Sequence, residues 1–359
     1  MNMSLASLFD AEGSVRKEEF IRVYEEIVEE ELKEIGTSYK IPSFALEQIK
    51  FCASYNVPHG KLQRGTAVVD CYCAFANLEI EAIPEVDLRL ACILGWCVEW
   101  LQAFFLVVDD IMDSSQTRRG QKCYYLLPKV GMNAINDAMI LQSFIYRLLY
   151  KYFHDSECYV KLVDIFQQVT FITELGQLLD TGSQNATEDS FSLFTKENLE
   201  RIYDYKTGNY TFYLPFALGL ILARKDEGDT LKRVYSLCME LGKYFQAQDD
   251  FLDCFGDPEV TGKIGTDIED NKCSWLIVNA LALCSTDQMQ TLKQCYGKRD
   301  SSCVEQVKNI YRKLGLVQLF EEFESSMYTT IRDQITLLDN NISKAPFLRV
   351  LDSLYRRKK

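Results

Sequence analysis

Apolar residues recur at three- and four-residue spacings along almost the whole chain, the repeat of helices that bury one face. The pattern predicts helices over roughly 15–37, 43–55, 66–81, 87–114, 131–153, 159–181, 194–224, 228–254, 272–284 and 302–339, with a last one near 345–356. The seven prolines, Pro42, Pro58, Pro84, Pro128, Pro215, Pro258 and Pro346, mostly fall between these stretches. Pro215 lies inside an apolar pattern and is expected to kink its helix without ending it. No alternating runs flanked by hairpin turns occur, so β structure is not expected. Thr181 to Ser190 and Asp257 to Asp270 are the most loop-like segments, and neither is long or biased enough for a domain linker. The reading is one all-α domain over residues 1–359, a single-domain helical bundle with a central ligand cavity between helices.

Leu88 to Val108 is apolar enough to suggest a membrane span. Arg89, Glu99 and Gln102 interrupt it, however, and it runs directly into three aspartates, which fits a helix buried in protein. Hydrophobic content of 47% and charged content of 25% describe an ordinary soluble globule with no membrane span. A net charge of −13 argues against nucleic-acid binding, and an anionic ligand would need metal ions or local cations to reverse the sign at its site. The thirteen cysteines show no CxxC or Cys/His ligand spacing and read as reduced core residues of an intracellular protein. Met1 to Gly13 carries Asp10 and Glu12 and no arginine, unlike a secretory or mitochondrial leader, so a cytoplasmic location is expected.

One acidic pattern is written twice. Asp109-Asp110-Ile111-Met112-Asp113 ends one long apolar stretch and Asp249-Asp250-Phe251-Leu252-Asp253 ends another. On a helix the first and last carboxylates of such a set share one face a turn apart, with the second beside them. Carboxylates clustered next to apolar surface repel one another and resist desolvation unless a cation joins them. Hard oxygen ligands of this kind suit Mg²⁺, which keeps several waters and shares its sphere with substrate phosphates. Two such clusters facing each other would clamp a diphosphate.

Cations follow at short intervals. Arg118-Arg119-Gly120 lies just past the first cluster and offers planar forks for phosphate. Gly60-Lys61-Leu62-Gln63-Arg64-Gly65 opens a helical pattern with two cations, Gln177 and Asp180 share a face at i, i+3, and Lys206-Thr207-Gly208 precedes an apolar helix. Gly256 to Lys263 looks like a phosphate loop, but it is one residue too long and Ile264 stands where a hydroxyl is needed. No protein base stands out, since the only histidines are His59 and His154.

The chain closely resembles the trans-isoprenyl diphosphate synthases, and among them those that make farnesyl diphosphate in animals. The resemblance runs in order along nearly the whole chain: GKLQRG at 60–65, LQAFFLVVDDIMDSSQTRRGQ at 101–121, TELGQLLD at 173–180, YKTGNYTFYLP at 205–215, FQAQDDFLDCFGDPEVTGKIGTDIEDNKCSW at 245–275, and the basic tail Tyr355 to Lys359. It implies an isoprenoid-synthase-type helical bundle acting as a head-to-tail prenyltransferase. Isopentenyl diphosphate would condense with dimethylallyl and then geranyl diphosphate to give farnesyl diphosphate, by ionisation, condensation and elimination. A terpene synthase on the same scaffold, or a synthase stopping at geranyl or geranylgeranyl diphosphate, is the alternative.

The resemblance also implies roles. Asp109, Asp113 and Asp180, with Asp249, Asp250 and Asp253 opposite and Asp110 beside the first set, would hold about three Mg²⁺, or Mn²⁺, on the allylic diphosphate. Arg118, Lys206 and Lys263 would contact the same diphosphate. Lys61, Arg64, Arg119 and Gln102 would grip isopentenyl diphosphate, with Arg357 closing over it. Thr207 and Gln246 would turn oxygens toward the allylic cation, Lys272 would anchor the segment after the second motif, and the protein would be a homodimer. Phe105 is four residues before Asp109, so with Phe104 it would floor the pocket for the growing chain. The sequence departs from the family pattern at His59, for a usual glycine, at Tyr124, for a tryptophan, and at Gly208, for an alanine. Thr66 and Asp70 add polarity to a helix that often has apolar residues there.

Overall fold

The computed structural model describes residues 8–10, 15–76, 78, 82–184, 190–261, 265–339, 341–355 and 357. It is helical almost throughout, and its backbone contacts cluster in two compact units, each assembled from separated stretches. Unit 1 comprises Met1–Thr170, Leu214–Lys232 and Asn341–Pro346; unit 2 comprises Phe171–Tyr213, Arg233–Asn340 and Phe347–Lys359.

Unit 1 is built on the Glu85–Met112 helix. Leu88, Ile93, Leu94, Trp96, Val98, Trp100 and Leu101 are all at 0% exposure, covering every side of the helix. A helix apolar all round must be surrounded, and here Gln63–Ala76, Ala134–Phe153 and Leu214–Leu222 pack on it. Trp96 stacks on Phe20 at 4.3 Å and donates its indole N–H to the Phe20 carbonyl, while Trp100 stacks on Phe144 at 4.5 Å. Burial on this scale contributes about 2–3 kcal/mol per large side chain, so packing and not helix propensity fixes this element. By length and hydropathy the helix passes as a membrane span, yet 83% of its most apolar window is buried inside the protein. Close backbone approach is set by glycine: a Cβ on Gly95 would stand 2.4 Å from the Gly65 carbonyl oxygen.

Unit 2 has its own core, in which Phe251 stacks on Phe320 at 4.1 Å and Trp275 meets Phe320 edge-on. Lys196–Ile202 runs without a break into a π-helix, Tyr203–Tyr213, which ends just before Pro215. Proline cannot donate to the carbonyl four residues back and crowds it, and a wider turn relieves that clash. A π segment thus directly precedes the proline at which a kink is expected.

Three expectations change. The stretch 302–339 is two helices, Ser301–Lys313 and Leu316–Thr336, divided where Gly315 takes φ +71°. Thr286–Cys295 is an extra helix opened by a Ser285–Gln288 capping box. A two-residue hairpin, Thr117–Arg118 with Gln121–Lys122, supplies β structure that alternation could not reveal. No disulfide joins any of the thirteen cysteines.

Candidate active site

In unit 1 the first acidic motif closes the central helix. Asp110 is 3% exposed, and Arg118 donates Nε and Nη2 to its Oδ1 at 2.9 and 2.6 Å and Nη2 to Asp109 Oδ2 at 3.3 Å. Burial raises the Asp110 carboxyl despite Arg118, while Arg118 overcomes its own desolvation because both aspartates hold its charge. The hairpin aims the arginines: Arg119 and Gly120 occupy its tip with φ +53° and +76°, a turn that only a glycine-like backbone closes easily. Arg119 then donates to the Asn56 carbonyl and lies against Gly60, whose φ of +91° and lack of Cβ leave room for the guanidinium.

The GKLQRG loop is therefore beside the arginine pair. Lys61 is exposed, and Arg64 meets the amide oxygen of Gln102 at 2.8 Å when that amide points its NH₂ toward Glu99, the orientation that satisfies both neighbours. Arg118 thus stands at the Asp109 end of this helix, Arg119 lies against Gly60, and Arg64 meets Gln102 about two turns before Asp109. Phe104 and Phe105 sit one turn before Asp109 with ring centroids 5.0 Å apart.

In unit 2 the second motif closes the Thr230–Phe255 helix. Asp250, 6% exposed, accepts from the Tyr203 hydroxyl, from the Trp275 N–H at 2.7 Å and from Gln246 Nε2 at 3.4 Å. Its oxygens are thus committed to the framework, and burial pushes its carboxyl up to about 7. Asp249 accepts from Arg357, whose guanidinium lies 4.2 Å from the Phe245 ring centroid. Asp253 takes the Asp267 N–H at 3.0 Å, and Gly265 lies against the Asp253 backbone where a Cβ could not fit.

Asp180 gathers two lysines, Lys206 at 2.5 Å and Lys272 at 2.9 Å. Burial opposes its charge, but the two ammonium groups outweigh that and hold the carboxyl at about 2. Gly176 makes this possible, because a Cβ there would stand 2.2 Å from the Lys206 backbone nitrogen. One residue on, the Thr207 hydroxyl donates to Gln246 Oε1 at 2.8 Å. Lys263 lies outside the described residues.

Among the described residues, no three carboxylate, histidine or cysteine side chains converge as a ready-made metal site. Arg118, Arg357, Lys206 and Lys272 stand against Asp110, Asp249 and Asp180. The donor set remains one of hard oxygens, as Mg²⁺ requires.

Residues 47–314 match the family model described as polyprenyl synthetase. The chain belongs to the polyprenyl synthetase family. It is 42% identical to the farnesyl pyrophosphate synthase of Saccharomyces cerevisiae, over 97% of this chain and 99% of that one. It is 40% identical to the Gallus gallus farnesyl pyrophosphate synthase, over 96% of this chain and 93% of that one. Among solved structures, T. brucei farnesyl diphosphate synthase in complex with a bisphosphonate superposes with a TM-score of 0.89 at 34% identity, over 95% and 99% of the two chains. This family member accommodates its departures locally. Gly60 and Leu62 take the positive φ values, so His59 needs no glycine backbone. Tyr124 donates to Asp137 at 2.8 Å, and Gly208 faces Met239 Sδ at 3.1 Å from where a Cβ would be.

Three contributors escape a reading of the sequence alone. Glu99 reads there only as an interruption of the apolar run, Gly176 only as one letter of TELGQLLD, and Tyr203 carries no role. Each acts through a partner more than 25 positions away, which spacing does not register.

Proposed function

We propose that this chain is a prenyltransferase that makes farnesyl diphosphate, condensing isopentenyl diphosphate with dimethylallyl and then geranyl diphosphate. One observation carries the reading: in a chain about 40% identical to farnesyl pyrophosphate synthases over nearly its whole length, each acidic motif stands beside cations of its own unit. Carboxylates that hold arginine and lysine in this way can exchange them for Mg²⁺ and pass the cations to diphosphate oxygens.

Asp109, Asp113, Asp180, Asp249 and Asp253 are the proposed donors to Mg²⁺, with Asp110 and Asp250 holding their helices' ends. When bound, the metal neutralises the charge that develops on the departing diphosphate. Arg118, Lys206, Lys263 and Lys272 bind that diphosphate, and Lys61, Arg64, Gln102, Arg119 and Arg357 bind isopentenyl diphosphate. Thr207 spends its proton on Gln246, so the hydroxyl presents lone pairs, the right polarity for a developing allylic cation. Phe104 and Phe105 limit chain length. Holding both substrates in register and excluding water lets the cation meet the double bond first. In unit 1 Met132, Ile135 and Met139 are exposed apolar residues on or beside the Ala134–Phe153 helix, which supports a homodimer face. Thirteen cysteines without a disulfide suit the cytoplasm.

Diphosphate release from dimethylallyl and from geranyl diphosphate, each measured with and without isopentenyl diphosphate, tests the reading. Release that needs both substrates and Mg²⁺ supports it. Equal release from either allylic substrate alone overturns it in favour of an ionising terpene synthase.

A further inference from the structure

Glu99 is a carboxylate at 2% exposure in the middle of an apolar helix, a place where an ion is costly unless it is fully engaged. It is fully engaged. Its Oε1 accepts the Gly65 N–H at 2.8 Å and its Oε2 accepts the Gln102 NH₂ at 3.0 Å. Gln102, thus turned, offers its oxygen to Arg64 Nη1 at 2.8 Å. Gly65 lies in the first turn of the Gln63–Ala76 helix, whose N–H groups lack partners within their own helix. Glu99 therefore caps that turn from a neighbouring helix and, through one amide, sets the guanidinium next to it. A Cβ on Gly65 would lie 2.9 Å from Glu99 Cγ, so the cap depends on glycine at the crossing.

We infer that Glu99 is a positioning residue for isopentenyl diphosphate: an acceptor at both oxygens, it dictates the Gln102 amide orientation and through it the placement of Arg64. The inference rests on the proposed function and names a residue that touches no substrate. Burial raises the Glu99 carboxyl, and the Gly65 N–H and the charges of Arg64 and Arg119 offset that rise only in part; the acceptor role rests on the donors that face its two oxygens.

Glu99→Gln tests it. The substitution keeps shape and leaves one oxygen for Gly65, but it sets an NH₂ against the Gln102 NH₂. Gln102 must turn over and present its donors to Arg64. The expected result is a KM for isopentenyl diphosphate raised roughly 10- to 100-fold, with the KM for dimethylallyl diphosphate changed less than about 2-fold. Because Glu99 acts through Arg64, adding Glu99→Gln to Arg64→Ala should change nothing further. Thermal melting of each variant accompanies the kinetics. If both KM values move together, if the two substitutions add, or if Glu99→Gln fails to fold, Glu99 merely holds the helices and the inference is wrong. Wild-type protein that condenses nothing would instead remove the function itself.

Discussion

Arg357 donates to Asp249 across 108 residues of sequence, with its guanidinium lying over the Phe245 ring. The end of the chain is thereby tied to the first aspartate of the second acidic motif. Gln248, on the same helix, adds a second tie by donating to the Leu354 carbonyl at 2.7 Å. Charge on the motif and position of the tail are thus one variable in unit 2.

Removing that aspartate strikes both. Asp249→Ala is expected to cut turnover by about 10²- to 10⁴-fold, through a lost oxygen donor and a released tail. Asp109→Ala should do the same, since Arg118 is then left holding Asp110 alone. Single-turnover condensation at saturating Mg²⁺ measures both, and near-normal rates in either variant would sink the carboxylate assignment.

Gly176→Ala probes how Lys206 is placed. A methyl group 2.2 Å from the Lys206 backbone nitrogen has to push the π-helix away from the Tyr159–Gln184 helix. Overpacking of this kind costs about 1–3 kcal/mol, and Lys206 would lose its contact with Asp180. Denaturant melts should show lower stability together with a raised KM for the allylic substrate; unchanged values of both would mean that the crossing is softer than it looks.

Asp204 gives a pH test. Its Oδ1 is buried without a hydrogen-bond partner, and burial raises its carboxyl to about 6, against the pull of Lys243. The unfolded chain ionises this group near its ordinary value, whereas the folded chain resists until about pH 6. Folding stability from this residue is therefore highest at low pH and declines as pH rises between those two values. Asp204→Asn should match wild type near pH 4 and become progressively the more stable of the two up to neutral pH, then level off. Melting curves across that range would refute the account if the gap shrank with pH.

Phe105→Ala should lengthen the product. The ring lies one turn before Asp109, beside Phe104, and its loss opens space along that face of the helix. Chromatography of the dephosphorylated products reads the result, and an unchanged distribution would remove Phe105 as the floor.

The parts of this molecule legible in sequence are those whose chemistry is local. Asp109 to Asp113 and Asp249 to Asp253 announce themselves because i, i+1 and i+4 fix a helix face without any knowledge of tertiary structure. The central helix was legible because its apolar run is long. Thr286–Cys295 was hidden by its polarity, although the Ser285–Gln288 box that opens it was present in the sequence. Gly315 breaks a helix through its positive φ, which a lone glycine does not disclose, and the hairpin at Arg119-Gly120 is too short to alternate. Glu99 was hidden for a different reason: a buried carboxylate is recognisable only once the donors that satisfy it, Gly65 and Gln102, are in view.

The most direct measurement incubates the purified protein with Mg²⁺, dimethylallyl diphosphate and labelled isopentenyl diphosphate and identifies the dephosphorylated products by chain length. The account predicts mainly farnesol, with geraniol as a transient. No condensation, with a terpene alcohol or hydrocarbon forming only from a longer allylic diphosphate supplied ready-made, would contradict it.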